Sequence, residues 1–400
     1  MPSLRPGEWQ AGPAAWIAPG RWFHRPLHDP GGGLMVLLKL QPRDTLFFRD
    51  GRPFNQGESP FAPSLFPPSP QTVVGAVRAA WAKQLGWPGH GGWGQEIRDR
   101  LGGDGETLEG IGFKGPLLQR GSEPLFPVPA MLLGESPGSR HSPPRQLLRL
   151  RPSAPRFHCD MGDNISLPIP EREDGVEGRK LVQGWWLTRA GFQQILAGKT
   201  PGGDHFVAEE SLWRAEPRIG ITLDPETGTT REAALYATSH IRLAEGVSLV
   251  MEVDNPPLEG NHDWPVVLGG ESRSAWMDTV RNAKLDVPAV PLGEATEGRI
   301  RYTAIVLTPL DPGGPPRAGE PFPGLPGRLT TTCMPRPQRW GGWDSIRWQP
   351  QGMRPHLAPG SVLFMEADER DREAIKRLHN TTIGRRASWG FGLIAIGIWK

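Results

Sequence analysis

Cysteine is nearly absent: the 400 residues hold only Cys159 and Cys333. They lie far apart and neither sits in a C-x-x-C pair, which argues against a cysteine-built zinc site and a disulfide framework and fits a reducing compartment. Long apolar runs are missing too. No stretch approaches the roughly 18 residues that a membrane-spanning helix requires, and the N-terminus lacks the apolar core of a signal peptide. The expected setting is cytoplasmic, with no membrane partner. The full P-loop pattern G-x-x-x-x-G-K-[ST] is absent, which argues against a P-loop nucleotide-dependent enzyme. No paired-carboxylate or H-E-x-x-H signature stands out, and neither a metal nor a cofactor is expected. Lysine is scarce, 8 residues against 37 arginines. Forked arginine donors suit phosphate, although codon usage in a GC-rich genome produces the same bias.

What the chain does have is glycine and proline, 52 and 45 residues, close to the level at which irregular structure dominates. Its length suggests two domains, or two plus an insertion. The 16 tryptophans read mostly as core and loop anchors. Net charge is only +2, so affinity for a polyanion has to come from local clustering of arginine. Three stretches carry no acid at all: 61–95, 136–159 and 374–400. The second, with five arginines and five prolines, reads as an exposed insertion, either a solvated loop or a basic finger laid on nucleic acid or a partner.

The first convincing strand begins at Leu34, leaving 1–33 as an N-terminal extension. Ser69 as N-cap, Pro70 at the first helical position and the stripe Val73, Val77, Ala80 and Trp81 predict a helix that Gly86 and Pro88 end. Residues 89–215 show no regular scaffold. Strands are predicted over 218–224, 235–243, 247–253, 299–307 and 361–365, with 235–243 and 247–253 joined as a hairpin at Gly246. Tyr236, Thr238, His240 and Arg242 form one face of 235–243, either a surface able to stack and bind phosphate or an ordinary solvent face. A helix over 369–379, capped by Asp368 and striped by Ala374, Ile375 and Leu378, precedes a glycine loop and a terminal strand. The element mix is α+β: a first domain over 34–283, interrupted at about 90–215, and a second over 284–400.

In the loop 384–392, Gly384, Gly390 and Gly392 would let backbone approach a ligand, and Arg385 and Arg386 match phosphate oxygens. Nucleotide cradles run strand, loop, helix, with phosphate on the helix N-terminus. Here the order is helix, loop, strand. The loop is therefore either a polyanion site or a plain helix-to-strand turn.

Four segments occur in a telling order: DTLFFRDGRPF with FPPSPQTVVGAVRAAW, then EPRIGITLDPETGTTREAALYATSHIRL, then PVVLGGESRSAW, then the terminal glycine loop. Together they resemble the RAMP (repeat-associated mysterious protein) superfamily of CRISPR proteins, specifically the family of the third subunit of the type III-B, or Cmr, effector complex. The resemblance covers roughly 35–400. It implies tandem ferredoxin-like (RRM-like) domains, the first with a long insertion. It also implies a subunit that holds the 5′ tag of crRNA beside the large polymerase-like subunit and a backbone RAMP subunit, in antiviral defence. By the same resemblance Arg49, Arg52, Gln71, Thr72, Gly384, Arg385, Arg386, Ser388, Trp389, Gly390, Phe391 and Gly392 are expected to face RNA; Arg78, projecting from the acid-free helix, and His240 and Arg242, on the basic strand face, are added to them from the residue pattern. No RNP1-like aromatic octamer is present, so capture of the backbone by loops is expected over stacking on a sheet face.

Some RAMP proteins cleave RNA. Metal-free cleavage needs a general base at a 2′-hydroxyl, and only His240 beside Arg242 or His379 near Arg385 qualify. Both have simpler explanations, a strand-face residue and a helix C-terminal cation. A non-catalytic RNA-binding scaffold is the favoured reading; a crRNA-processing ribonuclease and a purely protein-binding scaffold are the rivals.

Overall fold

Val36, Leu38 and Leu40 alternate with Met35, Leu37 and Lys39, and the first set is buried along β1 (Met35–Pro42), as a half-buried strand requires. The computed structural model describes residues 34–49, 61–62, 64–103, 108–135, 142–154, 157–159, 162–223, 226–258, 263–344 and 349–399. In α1 (Pro70–Gln84) the Ser69 hydroxyl accepts from the Thr72 amide at 3.3 Å, and Val73, Val77, Ala80 and Trp81 are buried. A second short helix, α2 (Gln95–Leu101), follows.

The region expected to lack a regular scaffold supplies β2 (Gly112–Arg120) and β3 (Glu123–Pro127), both in the largest sheet. Gly112, Gly115 and Pro116 break the pattern that would have announced β2. Next come β4 (Trp213–Leu223), β5 (Thr230–Leu243), β6 (Val247–Asp254), β7 (Trp264–Val267) and β8 (Ser274–Arg281). The order in the sheet is β3-β2-β6-β1-β8-β7, extended beyond β3 by Trp185–Leu187 and Phe206–Ala208. β6 is antiparallel to both β1 and β2, so those two run parallel with β6 between them.

The predicted pairing of 235–243 with 247–253 does not form. β5 pairs with the preceding β4 and with Phe61–Ala62. β6 is buried at seven consecutive positions, a pattern satisfied at the centre of a covered sheet and not in a hairpin with a solvent face.

A second sheet holds β9 (Arg299–Val306), β10 (Arg328–Cys333), β13 (Val362–Asp368) and β15 (Leu393–Ile398) in the order β10-β13-β9-β15. Between β10 and β13 runs a separate hairpin of β11 (Gln338–Asp344) and β12 (Gln349–His356). The helix expected over 369–379 shrinks to a 3-10 turn, Glu369–Asp371, and α3 (Arg372–Arg377). Ile375 is its one buried residue and Ala374 is exposed. The Asp368 carboxylate makes no cap and faces Arg299 and Arg370, each at 3.7 Å.

Residues from Leu34 onward form one compact unit. One apolar core lies under α1 (Leu38, Val77, Trp81, Phe113), and another fills the second sheet (Tyr302, Leu363, Ile375, Ile394). A third, with Phe126, Phe192, Val250 and Phe364, joins them. No helix among the described residues is long and apolar enough to cross a membrane.

Candidate nucleic-acid interface

The glycine loop turns out to be a strut. β14 (Trp389–Gly390) pairs in parallel with Phe113–Lys114 of β2, so the C-terminal loop adds itself to the first sheet. Gly384, Gly390 and Gly392 all have positive φ, at 82°, 87° and 68°. A Cβ on Gly390 would strike the Gly115 carbonyl oxygen, one on Gly392 the Ile383 oxygen, and one on Gly384 would come within 2.7 Å of the Asp311 oxygen. These glycines admit neighbouring backbone, so the expectation that they admit a ligand is corrected. The Ser388 carbonyl accepts from the Phe113 amide at 2.9 Å. Trp389 and Phe391 are 7% and 2% exposed, and Phe391 packs on His356 at 5.3 Å between ring centres.

Arg78 is corrected as well. It is 3% exposed, donates to the carbonyls of Leu101, Gly102 and Gly103 at the end of α2, and lies over the rings of Trp93 at 4.9 Å and Trp389 at 5.1 Å. Its charge serves a helix C-terminus and two rings.

Two arginines of the loop remain at the surface. Arg386, in the left-handed region at φ 56°, donates to Gln71 Oε1 at 2.5 Å and Gln351 Oε1 at 3.4 Å; Gln71 Nε2 donates to that same Gln351 oxygen at 3.0 Å. This cluster joins the first turn of α1, β12 and the loop. Beside Gln71, the Thr72 hydroxyl lies 3.0 Å from Ser69 Oγ, within the cap of α1. The Arg385 amide donates to the Asp311 oxygen at 2.9 Å, while its exposed guanidinium lies against Gly313 and makes no hydrogen bond among the described residues. Arg49 is exposed, and Arg52 lies outside the described residues.

His240 and Arg242 belong to a second cluster. His240 is fully buried, stacked on Phe47 at 5.0 Å, with Nδ1 3.1 Å from Thr45 Oγ1. Its Nε2 is 3.1 Å from Glu271 Oε2, off the hydrogen-bond direction. Burial pushes the imidazole below its ordinary range against the opposing pull of Glu271, and Arg218 and Arg273 push it the same way as burial. The expectation that it lies on an accessible binding face is therefore wrong. Arg242 grips Glu216 with two donors at 2.6 and 3.2 Å and reaches Asp44 at 3.1 Å. Arg218 bonds Asp44, Thr45 and Glu216 at 3.4, 2.8 and 3.3 Å, and Arg273 bonds Asp44 and Glu271 at 3.3 and 3.1 Å. Three arginines thus interlock with three carboxylates. Side-chain bonds from Arg242 hold Glu216 below the usual carboxylate range despite partial burial.

Sequence reasoning missed Asp44, Glu216, Arg218, Glu271, Arg273 and Gln351. Five of these lie in three of the quoted segments, whose convergence was the available signal; Gln351 had none. His379, the other nuclease candidate, is partly buried, with Nδ1 accepting from the Ile396 amide at 3.1 Å.

Residues 38–399 match the family described as CRISPR-associated protein (Cas_Cmr3), and the chain belongs to that family. It is a Cmr-type, RAMP-like subunit and a component of a CRISPR effector, as its motifs led one to expect. No curated protein matches it. Among solved structures it is similar to a chain of the Type III-B Cmr-beta bound to cognate target RNA, at 17% identity over 86% of this chain and 88% of that one, with TM-score 0.45. It is also similar to a chain of the Csm1-Csm4 cassette in complex with pppApA, at 13% identity over 82% and 86%, TM-score 0.35. A chain of the Csm3-Csm4 subcomplex of the type III-A interference complex matches at 11% identity over 84% and 97%, TM-score 0.35.

Proposed function

We propose that this chain is a non-catalytic, cytoplasmic scaffold subunit of a type III-B effector, holding the 5′ tag of crRNA and joining the large polymerase-like subunit to the backbone RAMP subunits. Strand order supports the tandem ferredoxin-like reading: β2-β6-β1-β8 and β10-β13-β9-β15 both follow second, third, first, fourth in chain order. Among the described residues the first repeat lacks the second helix of that motif and the second lacks the first.

The observation that carries the RNA reading is the pair Arg385 and Arg386, exposed on one turn anchored between the two sheets, with Arg386 oriented by the neutral amides of Gln71 and Gln351. Adjacent exposed guanidiniums suit phosphates without reading sequence. Burial of His240 and the hydrogen-bonded state of His379 favour a binder over a nuclease. Ile219 and Ile221, 75% and 50% exposed on β4, favour a protein partner as well.

The test is to purify the assembled complex and sequence its small RNA. Reads sharing one 5′ end and diverging afterwards are expected, and Arg385→Ala with Arg386→Ala should deplete them. Undiminished RNA in that double variant would overturn the reading. Metal-free cleavage of repeat RNA that disappears with His379→Ala would move the protein to the nuclease class.

A further inference from the structure

Asp44 sits where three guanidiniums converge from three elements: Arg218 on β4, Arg242 on β5 and Arg273 beside β8. It is about half exposed. Its contacts, 3.4, 3.1 and 3.3 Å, include the longest in the lattice, whereas Arg242 and Glu216 meet at 2.6 Å. The Thr45 amide is its other partner; burial opposes ionisation, yet that amide with Arg242 and Arg218 holds the carboxyl below its usual range. Asp44 is therefore the member that can leave without breaking the Arg242–Glu216 and Arg273–Glu271 pairs.

We propose that this triple-arginine cradle is a binding site for one phosphodiester of single-stranded RNA, which Asp44 occupies as an internal competitor. The proposal rests on the reading of the chain as an RNA-binding subunit. A phosphodiester carries one negative charge and two free oxygens, as a carboxylate does, so the exchange keeps the lattice neutral and satisfies the same donors. The surroundings favour RNA over an acidic protein: exposed Arg43, adjacent to Asp44, lies over the Trp276 ring at 4.9 Å. A cation on an aromatic ring next to an anion cradle matches the pairing of phosphate and base in single strands. If the lattice only pinned the base of the β4–β5 hairpin, removing the Asp44 charge would weaken the protein and add no affinity.

The test compares full-length wild type with Asp44→Asn, using a labelled single-stranded RNA and a polyglutamate peptide as probes. Asp44→Asn should bind the RNA about two- to fivefold tighter, the worth of one exposed ion pair. Its log–log salt slope should steepen by up to about 0.7, because wild type trades one anion for another at the cradle whereas the variant gains a net neutralised phosphate charge. Adding Arg273→Gln should cancel the gain. Equal or weaker binding by Asp44→Asn overturns the proposal, and an equal gain for polyglutamate overturns the RNA assignment. Should thermal melting show Asp44→Asn unfolded, Asp44→Ser is read the same way. Wild type that fails to bind RNA counts against the scaffold reading alone, because the gain is measured between variants.

Discussion

Gly390 lies against the main-chain oxygen of Gly115 with no room for a Cβ between them. Through this approach the loop 384–392 closes onto the first sheet while the strand that follows it, β15, belongs to the second. Gly390→Ala would combine a clash with backbone at φ 87°, where a side chain is disfavoured. We predict a loss of about 2 to 4 kcal/mol, read by urea denaturation. RNA affinity per folded molecule should not change; a loss of affinity without a loss of stability would return the glycine to the ligand site.

Arg78 and Trp389 form the second joint of that strut. Arg78→Met strands three carbonyls at the end of α2 and removes the cation from over two rings. The expected cost is about 2 to 4 kcal/mol. With Trp389→Leu the two losses should be non-additive by about 0.5 to 3 kcal/mol, as for residues in contact. Additive losses in that double-mutant cycle would separate Arg78 from the loop.

Glu252 is 1% exposed in the centre of β6 and takes Lys114 Nζ at 2.6 Å and the Leu285 amide at 2.8 Å. Lys114→Met leaves a buried carboxylate without its cation, and should cost about 3 to 5 kcal/mol. Adding Glu252→Gln should recover part of this, because the amide oxygen still accepts from Leu285. No recovery in thermal melting would show that Lys114 acts through packing.

Acid should weaken the fold earlier than carboxylate titration alone would. Burial leads in pushing His240, His356 and His379 below the ordinary value of 6.5. The folded chain then binds these protons more weakly than the unfolded chain. The stabilising contribution is complete above about pH 6.5 and falls as pH drops toward the folded values, by at most about 1.4 kcal/mol per pH unit for each group. Urea midpoints should fall between pH 7.5 and 5.5, and less steeply in His240→Gln. A midpoint that rises on acidification would contradict this.

Local chemistry was legible where one residue does one job. Ser69 and Pro70 announce α1, and β13 opens on an apolar run, Val362 to Met365. The strands hidden in 89–215 were not legible, because Gly115 and Pro116 interrupt β2 and its burial depends on β6, more than a hundred residues away. The site was half legible for the same reason. An arginine in sequence shows its charge and not its partner: Arg78 and Arg242 read as free donors, yet one is committed to carbonyls and the other to Glu216 and Asp44. The glycine loop was visible as a motif, while its use as a strut required knowing where β2 lies.

Arg385 and Arg386, adjacent in sequence, should separate by experiment. Arg386 is tied to Gln71 and Gln351, so it both shapes the seam and presents charge; Arg385 makes no side-chain hydrogen bond among the described residues. Arg385→Ala should leave the urea midpoint unchanged while tag-RNA affinity falls and the log–log salt slope flattens by about 0.7, one phosphate contact. Arg386→Ala should flatten the slope similarly and also lower stability by about 1 kcal/mol, the worth of its hydrogen bonds to neutral amides. Replacing Gln71 with Leu tests the coupling. It should lower affinity only when Arg386 is present, since its part is to aim that guanidinium; an equal loss in the Arg386→Ala background would mean that Gln71 touches RNA itself.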